Sequence, residues 1–314
     1  MLTVLVALAA NALVAVLKSI VAVVTGSASM VAEAAHSWAD TGNEVFLFIA
    51  ERRAKKPADT LHPLGYGREA YVWSMIAAFG LFTVGSAVSI LHGVQSLSAL
   101  ETEASYGWAY AVLGAAFVLE GISFTQARRE TVAGARQAQM SRFEFLESTS
   151  NPTLRAVYFE DAAALVGLVI AGLGMWLHQI TGNPVYDAIG SILVGVLLGV
   201  VAIWLIARNM AFLNGQVADG RPYEAALRWL LARPEVAAVT FLHLEYVGPG
   251  TVFVIGSVDL EGDDSESQAA RELQQLEDDL RAHPNVAFAV MSLAAPGVAP
   301  LLPEGEVPGP GVGD

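Results

Sequence analysis

The sequence predicts an α-helical membrane protein in which a bundle of helices is followed by a small α+β domain. Of the 314 residues, 54% are apolar and only 15% are charged, and the mean hydropathy is +0.50. Soluble domains carry about 25% charged residues. The net charge of −14 is uneven, because the first 215 residues contribute −3 and the remainder −11. These features argue against a wholly soluble enzyme, and the acidic balance argues against nucleic-acid binding.

Six stretches are apolar and long enough to cross a bilayer, which takes about 20 residues. They are Leu2–Gly26, Met30–Ala50, Val72–Leu97, Trp108–Thr125, Val157–Leu177 and Tyr186–Ala207. The first stretch lacks a basic amino-terminal region and carries Lys18 in its middle. We therefore interpret it as a retained helix and not as a signal peptide.

The loops between these spans predict the orientation in the membrane. Eleven Lys and Arg residues follow the second, fourth and sixth spans, whereas the other three loops contain none. Positively charged loops remain in the cytoplasm, so we expect both termini to be cytoplasmic. Because no targeting segment is visible, the simplest expectation is a multi-pass protein of a bacterial plasma membrane.

The pattern changes near Arg221 from long apolar runs to alternating and amphipathic segments. These segments are a helix over Tyr223–Ala232, strands over Val236–Tyr246 and Thr251–Leu260, a helix over Ser265–Ala282 and a strand over Val286–Leu293. Their order predicts a small α+β sandwich with one sheet face covered by the helices. We divide the chain into a transmembrane domain (1–215), a cytoplasmic domain (216–295) and a disordered Pro/Gly-rich tail (296–314).

Polar residues inside the spans are the candidate functional residues, because ionisable groups at membrane depth are costly. His36 and Asp40 are four residues apart on one face of the second span, and Asn43 continues that face. The fifth span contributes Glu160 and Asp161. One imidazole with two or three carboxylates, in a chain without cysteine, suits Zn²⁺ or a similar first-row divalent ion.

The alternative is that such groups form hydrogen bonds between helices and hold the bundle together. We favour that interpretation for Lys18, Glu120 and Asp187, each of which is alone in or at the end of its span. Glu33 and Glu44 lie near the ends of the second span, where a solvated or capping role is equally compatible with the pattern.

Four segments resemble signatures of the cation diffusion facilitator family, and the resemblance extends from Asn11 to about Leu293. They are Thr25–Ser37 with Asp40 in the second helix, His62–Arg68 with Trp73 at the opening of the third, Glu160–Gly167 in the fifth and Tyr186–Ser191 in the sixth. The resemblance implies a dimeric, six-helix exporter of divalent metal, driven by proton antiport, with a ferredoxin-like cytoplasmic domain.

The resemblance also implies a transport site built from two residues four apart on the second helix and two more on the fifth. His36, Asp40 and Asp161 match three of these positions, but the fourth falls on Val157, which cannot bind a metal. Glu160, one turn away, is predicted to supply the fourth ligand, as the Glu-Asp pair of one branch of the family suggests. Asn43 is expected to lie just outside the ligand set.

At two further metal sites of the family, this sequence lacks part of the expected ligand set. Asp59 and His62 match the spacing of a loop site between the second and third helices, but Tyr66 stands where another histidine is expected. In the cytoplasmic domain, three candidate residues lack ligand-like spacing, namely His243, Glu245 and His283. We interpret these as ordinary strand and loop residues and expect dimerisation through packing.

The leading hypothesis is a homodimeric exporter that binds cytosolic Zn²⁺, or related Co²⁺ or Fe²⁺, at mid-membrane and exchanges it for protons. Metal ligands must be deprotonated, so metal binding releases protons, and an imidazole such as that of His36 changes protonation nearest neutral pH. We expect no resident cofactor and no nucleic-acid partner. Two alternatives stay open: an acyltransferase-like membrane enzyme using His36 and Asp40, and a non-transporting scaffold.

Overall fold

The computed structural model describes residues 2–98, 107–262 and 265–303. The long helices are α1 (Leu2–Thr25), α2 (Ala28–Ala54), α3 (Glu69–Ser96), α4 (Gly107–Ala138), α5 (Pro152–Thr181) and α6 (Val185–Leu213). Within the described ranges, α3 to α6 are long and apolar enough to cross a membrane, and α1 contributes a shorter apolar stretch, Asn11–Thr25. The predicted fold class, a helical membrane bundle followed by a small α+β domain, is confirmed.

The ends of α5 follow from local sequence. The side chain of Asn151 accepts hydrogen bonds from two amides of the first turn, at 3.1 and 3.2 Å, and Pro152 occupies the first helical position. The helix ends at Gly182, whose left-handed φ of 70° lets its N–H donate to the carbonyl oxygen of His178 at 2.8 Å. Helix α5 therefore begins five residues before the apolar stretch that hydropathy predicts.

Helices α3 and α6 approach each other closely through small residues. A Cβ atom added to Gly195 of α6 would lie 2.9 Å from the carbonyl oxygen of Ser86, in the π-helical segment Leu81–Ala87 of α3. The hydroxyl of Ser191 donates to the carbonyl oxygen of Ser89 at 2.8 Å. Small residues that let backbones approach and hydroxyls that bond across helices are typical of membrane-helix interfaces.

The chain divides into two compact units. The membrane unit comprises Met1–Arg53 and Ala70–Met210, and the carboxy-terminal unit comprises Ala54–Glu69 and Ala211–Asp314. The loop after α2 thus belongs to the carboxy-terminal unit. In that loop a Cβ atom at Gly67 would lie 2.5 Å from a backbone oxygen of β1, so only glycine allows this contact.

The carboxy-terminal unit contains a three-stranded sheet and two helices. In chain order these are α7 (Arg221–Leu231), β1 (Val236–Gly248), β2 (Thr251–Leu260), α8 (Glu266–Arg281) and β3 (Val286–Leu293). The strand order is β1–β2–β3: β1 and β2 form an antiparallel hairpin, and α8 crosses over to bring β3 parallel to β2. This succession is the one that the sequence predicts.

The core of this unit lies on one face of the sheet. Along β2, Val252, Val254 and Val258 are buried, while the intervening side chains are partly exposed. Helix α7 packs against β1 and α8 packs against β3, with Leu230 and Leu276 fully buried between helices and strands. The alternation confirms that the helices cover a single face of the sheet.

The segment after β3 differs from the predicted disordered tail over the part that the structure describes. The N–H of Leu301 donates to the carbonyl oxygen of Val239 in β1 at 2.7 Å. The Leu301 side chain packs against the core of the sheet domain. Residues 304–314 of the predicted tail lie outside the described residues.

Candidate metal centre

Helix α2 presents His36 and Asp40 side by side. The Nε2 atom of His36 lies 3.4 Å from Oδ2 of Asp40, as expected for residues four apart on a helix. His36 is fully buried, and neither of its ring nitrogens makes a hydrogen bond to the residues that the structure describes. A buried imidazole with unused donors and acceptors is costly for folding alone, which favours a ligand role for this pair.

A cavity of about 230 Å³ lies between four helices beside this pair. Its walls come from α1, α2, α4 and α5, and its polar lining residues are Asn11, Asp40, Asn43, Glu44, Glu120, Ser123, Glu160 and Asp161. Five of these are carboxylic acids, and none of the described lining residues is basic. Val157, at the position where the family resemblance implies a ligand, also lines this cavity.

Neutral donors hold the carboxylates of the cavity. The Nδ2 atom of Asn43 donates to Oε2 of Glu160, and the hydroxyl of Ser123 donates to Oδ2 of Asp161 at 2.6 Å. In the same way, Asn11 donates to Glu44 at 2.5 Å. Glu160 is only 6% exposed, and its other oxygen has no hydrogen-bond partner in the described part of the chain.

The predicted ligands are thus neighbours, but they do not form a coordination sphere. Asp40, Asn43, Glu160 and Asp161 line one cavity, His36 lies beside Asp40, and Asn43 donates a hydrogen bond to Glu160. Among the described residues, no three His, Asp or Glu side chains are arranged so that they could hold a metal ion. Their assignment as ligands, including Glu160 in place of Val157, stays a prediction.

Several residues that line the cavity are not identified as site residues by the sequence. The sequence pattern favours a structural role for Glu120 on α4 and a solvated or capping role for Glu44 on α2, and it does not mark Asn11 or Ser123, but all four line the cavity. The signal that points to Glu120 is its position as an acid in an otherwise apolar span. No pattern within a single helix identifies Asn11 or Ser123, because each acts on a carboxylate of another helix.

Two of the isolated charged residues connect helices, as predicted. Lys18 of α1 forms a fully buried ion pair with Glu33 of α2, with 3.0 Å between Nζ and Oε2. The carboxylate of Asp187, at the start of α6, accepts hydrogen bonds from the first residues of α2. The burial of Glu33 shows that the solvated or capping role considered for it is wrong.

The candidate loop site is a compact, exposed hydrogen-bonded turn. Oδ1 of Asp59 accepts the backbone N–H of His62 at 2.8 Å and lies 3.3 Å from its ring, while Oδ2 accepts the hydroxyl of Tyr66 at 2.7 Å. These hydrogen bonds, with that of Tyr66 first, lower the pKa of Asp59 to about 2. Both carboxylate oxygens are therefore engaged within the loop, which favours a structural role.

The three polar residues noted in the carboxy-terminal unit also have ordinary contacts. Glu245 forms an ion pair with Arg68 of the loop in the same unit. The ring of His283 packs edge-on against Trp229, with 5.5 Å between centroids. His243 lies within β1, opposite Ile255 of β2. These contacts agree with the interpretation of strand and loop residues.

Comparison with known families identifies the class of protein. The cation efflux transmembrane domain matches residues 4–213, so the chain belongs to the cation efflux, or cation diffusion facilitator, family. Membership assigns the chain to a class of metal cation transporters and not to membrane-embedded enzymes. That the chain falls in the branch with a Glu-Asp pair in its fifth helix stays a prediction.

Three relatives illustrate the similarity. Metal tolerance protein C4 of Arabidopsis thaliana is 38% identical over 233 residues, which cover 74% of this chain and 51% of that protein. The mitochondrial proton-coupled zinc antiporter SLC30A9 of Homo sapiens is 34% identical over 259 residues, which cover 82% of this chain and 46% of that protein. Magnetosome protein MamB of Magnetospirillum gryphiswaldense is 25% identical over 240 residues, covering 76% and 74%. The chain spans about half the length of the first two relatives.

Proposed function

We propose that this protein exports Zn²⁺ from the cytoplasm in exchange for protons. The observation that carries the proposal is a cavity lined by carboxylates of α2, α4 and α5, one of which, Asp40, lies beside His36. Family membership supports transport of a divalent cation. The relative named as a proton-coupled zinc antiporter supports both the ion and the coupling.

The charge of the cavity supports cation binding. Five acidic side chains and no basic one line the cavity in the described part of the chain, so its lining offers several oxygen ligands to a cation. One divalent ion would neutralise two of these charges, so protons must balance the others. Exchange of metal for protons follows from this balance, because ligands must lose their protons to bind the metal.

The donor types support Zn²⁺ over harder ions. A site of carboxylates alone suits Mg²⁺ or Mn²⁺, whereas an imidazole shifts the preference toward Zn²⁺, Co²⁺ or Fe²⁺. In the proposed bound state, Asp40, Glu160 and Asp161 turn toward an ion that His36 also contacts. Asn43 and Ser123 each keep the carboxylate oxygen that they hold, and the other oxygen of each carboxylate meets the ion.

We propose a homodimer in the plasma membrane, with both termini cytoplasmic. The orientation rests on the eleven basic residues confined to alternate loops. Residues 1–215 form the proposed transport domain and residues 216–295 the proposed cytoplasmic domain. Cysteine crosslinking tests whether the protein is a dimer. The fluorescence of tagged protein in cells tests which membrane contains it, and the alternative is a mitochondrial membrane, because the human relative is named as mitochondrial.

The test is Zn²⁺ flux in proteoliposomes containing the purified full chain, with an imposed pH gradient. Wild-type protein should move Zn²⁺ and protons across the membrane in opposite directions. Asp161→Ala should abolish both the Zn²⁺ flux and the proton flux. The matched control is Asp259→Ala, which removes an exposed aspartate of β2 that does not line the cavity.

Helix content and elution volume of each variant establish that it is folded. Loss of flux in Asp161→Ala but not in Asp259→Ala supports the cavity as the site of transport. Zn²⁺ flux that is unaffected by Asp161→Ala would exclude α5 from the mechanism. Absence of flux in the wild-type protein, in every gradient, would favour the non-transporting scaffold.

A further inference from the structure

The ion pair between Lys18 and Glu33 is a buried feature of the membrane unit that the proposed ion site does not use. Both side chains are 0% exposed, and 3.0 Å separates the ammonium nitrogen from the carboxylate oxygen. The second oxygen of Glu33 has no hydrogen-bond partner among the described residues. Burying two charges costs more than an apolar contact of the same size, so packing alone does not account for this pair.

On α1, α2 and α5, the ion pair lies beyond one end of the segment that lines the cavity. On α1, the lining residues Asn11 and Val14 precede Lys18, and on α2 all lining residues follow Glu33. On α5, the lining residues precede Gly167, at which an added Cβ atom would lie 3.0 Å from Oε1 of Glu33. The ion pair therefore joins α1, α2 and α5 in a layer at the outer side of the cavity, given the proposed orientation.

An apolar plug occupies the opposite side of this layer. The plug consists of the buried residues Val21, Ala22, Met30, Ala109, Leu113, Leu168 and Met175, and it reaches the cavity at Ala116 of α4, which packs with the plug and also lines the cavity. On α1 its members follow Lys18, on α2 Met30 precedes Glu33, and on α5 its members follow Gly167. From the cytoplasmic side outward, α1, α2 and α5 thus pass an acidic cavity, the buried ion pair and an apolar cluster.

We propose that the Lys18–Glu33 ion pair is the outer gate of the cation pathway, and that its separation opens the plug to the outer side. The proposal rests on the transport function proposed above. The pair is one turn beyond His36 on α2, so a divalent cation at His36 and Asp40 stands close to the ammonium of Lys18. Repulsion between the two cations weakens the pair when the site is loaded, which links opening to occupancy.

The absence of cysteine from the chain permits a direct test of the gate. A single reporter, Ala22→Cys in the plug on α1, is labelled with a charged, membrane-impermeant maleimide added from the outer side. Met30→Cys on α2 serves as a second reporter, so that the result does not depend on one position. The full-length protein is used, in cells or in oriented proteoliposomes.

Breaking the pair should open the plug without metal. Lys18→Met and Glu33→Gln should each raise the labelling rate at least tenfold, and the charge exchange Lys18→Glu with Glu33→Lys should return it to the wild-type rate. Zn²⁺ should accelerate labelling in the wild-type gate. Wild-type rates in both single variants, or a charge exchange that labels as fast as they do, would overturn the proposal.

A variant with an uncompensated buried charge can fail to fold, so an uncharged pair provides an independent measurement. Lys18→Met with Glu33→Leu extends the apolar plug and removes the charge that senses the cation. It should bind Zn²⁺, label slowly with and without Zn²⁺, and lose flux. Zn²⁺-accelerated labelling or wild-type flux in this variant would equally contradict a gate based on charge.

The matched control is Ser19→Ala, which removes the 3.0 Å hydrogen bond from Trp38 that joins the same two helices at an exposed position. Its labelling should equal that of the wild type, and faster labelling would indicate general loosening of α1 against α2. The two proposals fail differently. If the protein does not transport Zn²⁺, metal has no effect but the gate variants still label faster. If the gate is wrong, Zn²⁺ flux persists and these variants do not alter labelling.

Discussion

Replacing Asp187 by alanine should destabilise the amino-terminal end of α2, the helix that carries His36 and Asp40. Its carboxylate is 3% exposed and accepts three hydrogen bonds: the N–H of Ala28 at 2.6 Å, the hydroxyl of Ser27 at 2.9 Å and the N–H of Ser29 at 3.3 Å. A residue 159 positions away in the chain therefore supplies the cap of α2.

The expected loss in the free energy of unfolding follows from these three hydrogen bonds. A short hydrogen bond from a buried amide to a charged acceptor contributes about 2 kcal/mol, and the bond from the hydroxyl contributes about 1 kcal/mol. The negative charge at the positive end of the helix dipole adds about 0.5–1 kcal/mol. The 3.3 Å contact is long and adds little. Asp187→Ala should therefore lower the free energy of unfolding by about 3–4 kcal/mol.

The assay is unfolding of the purified protein in mixed micelles by titration with sodium dodecyl sulfate, followed by far-ultraviolet circular dichroism. Asp187→Asn, which keeps one acceptor oxygen, should fall between the wild type and the alanine variant. Asn183→Ala is the matched control, because it removes an exposed cap from Val185 of α6, a 3.0 Å hydrogen bond, and should cost about 1 kcal/mol. A loss below that of Asn183→Ala would refute the assignment of Asp187 as the cap of α2.

Three further predictions concern the cavity and the loop. Because Asn43 orients Glu160, Asn43→Ala should weaken Zn²⁺ binding, measured by isothermal titration calorimetry, by about 10–100-fold; unchanged affinity would remove Glu160 from the ligand set. His36→Asp removes the softer donor, so Mn²⁺ flux should rise relative to Zn²⁺ flux in proteoliposomes, and an unaltered metal ranking would contradict a ligand role. In the loop, Tyr66→Phe removes the main cause of the lowered pKa of Asp59 and should raise that pKa from about 2 toward its ordinary value, measured by carbon-13 NMR titration. The depressed pKa stabilises the folded loop above the pKa of the unfolded chain, and this stabilisation is lost as the pH falls through about 2.

Features that depend on residues close together in the chain were predictable. The apolar runs predict the long helices, and the alternation of buried and exposed residues along β2 predicts which face of the sheet is covered. The His36–Asp40 pair is of the same kind, because a helix brings residues four apart together wherever it lies. The domain order and the candidate ligands of α2 and α5 follow from such local relations.

What only the tertiary structure decided is which polar and charged side chains contact each other. The chain separation is 15 residues between Lys18 and Glu33, 117 residues between Asn43 and Glu160, and 160 residues between Ser27 and Asp187. The sequence marks these as polar residues in apolar surroundings and therefore as residues that need partners. Which partner each one takes depends on the rotation and depth of every helix in the bundle, and these are set jointly by packing among all the helices. For that reason Glu33, whose position near a span end is compatible with a solvated role, is instead buried in an ion pair. For the same reason Glu120 lines the same cavity as the predicted ligands.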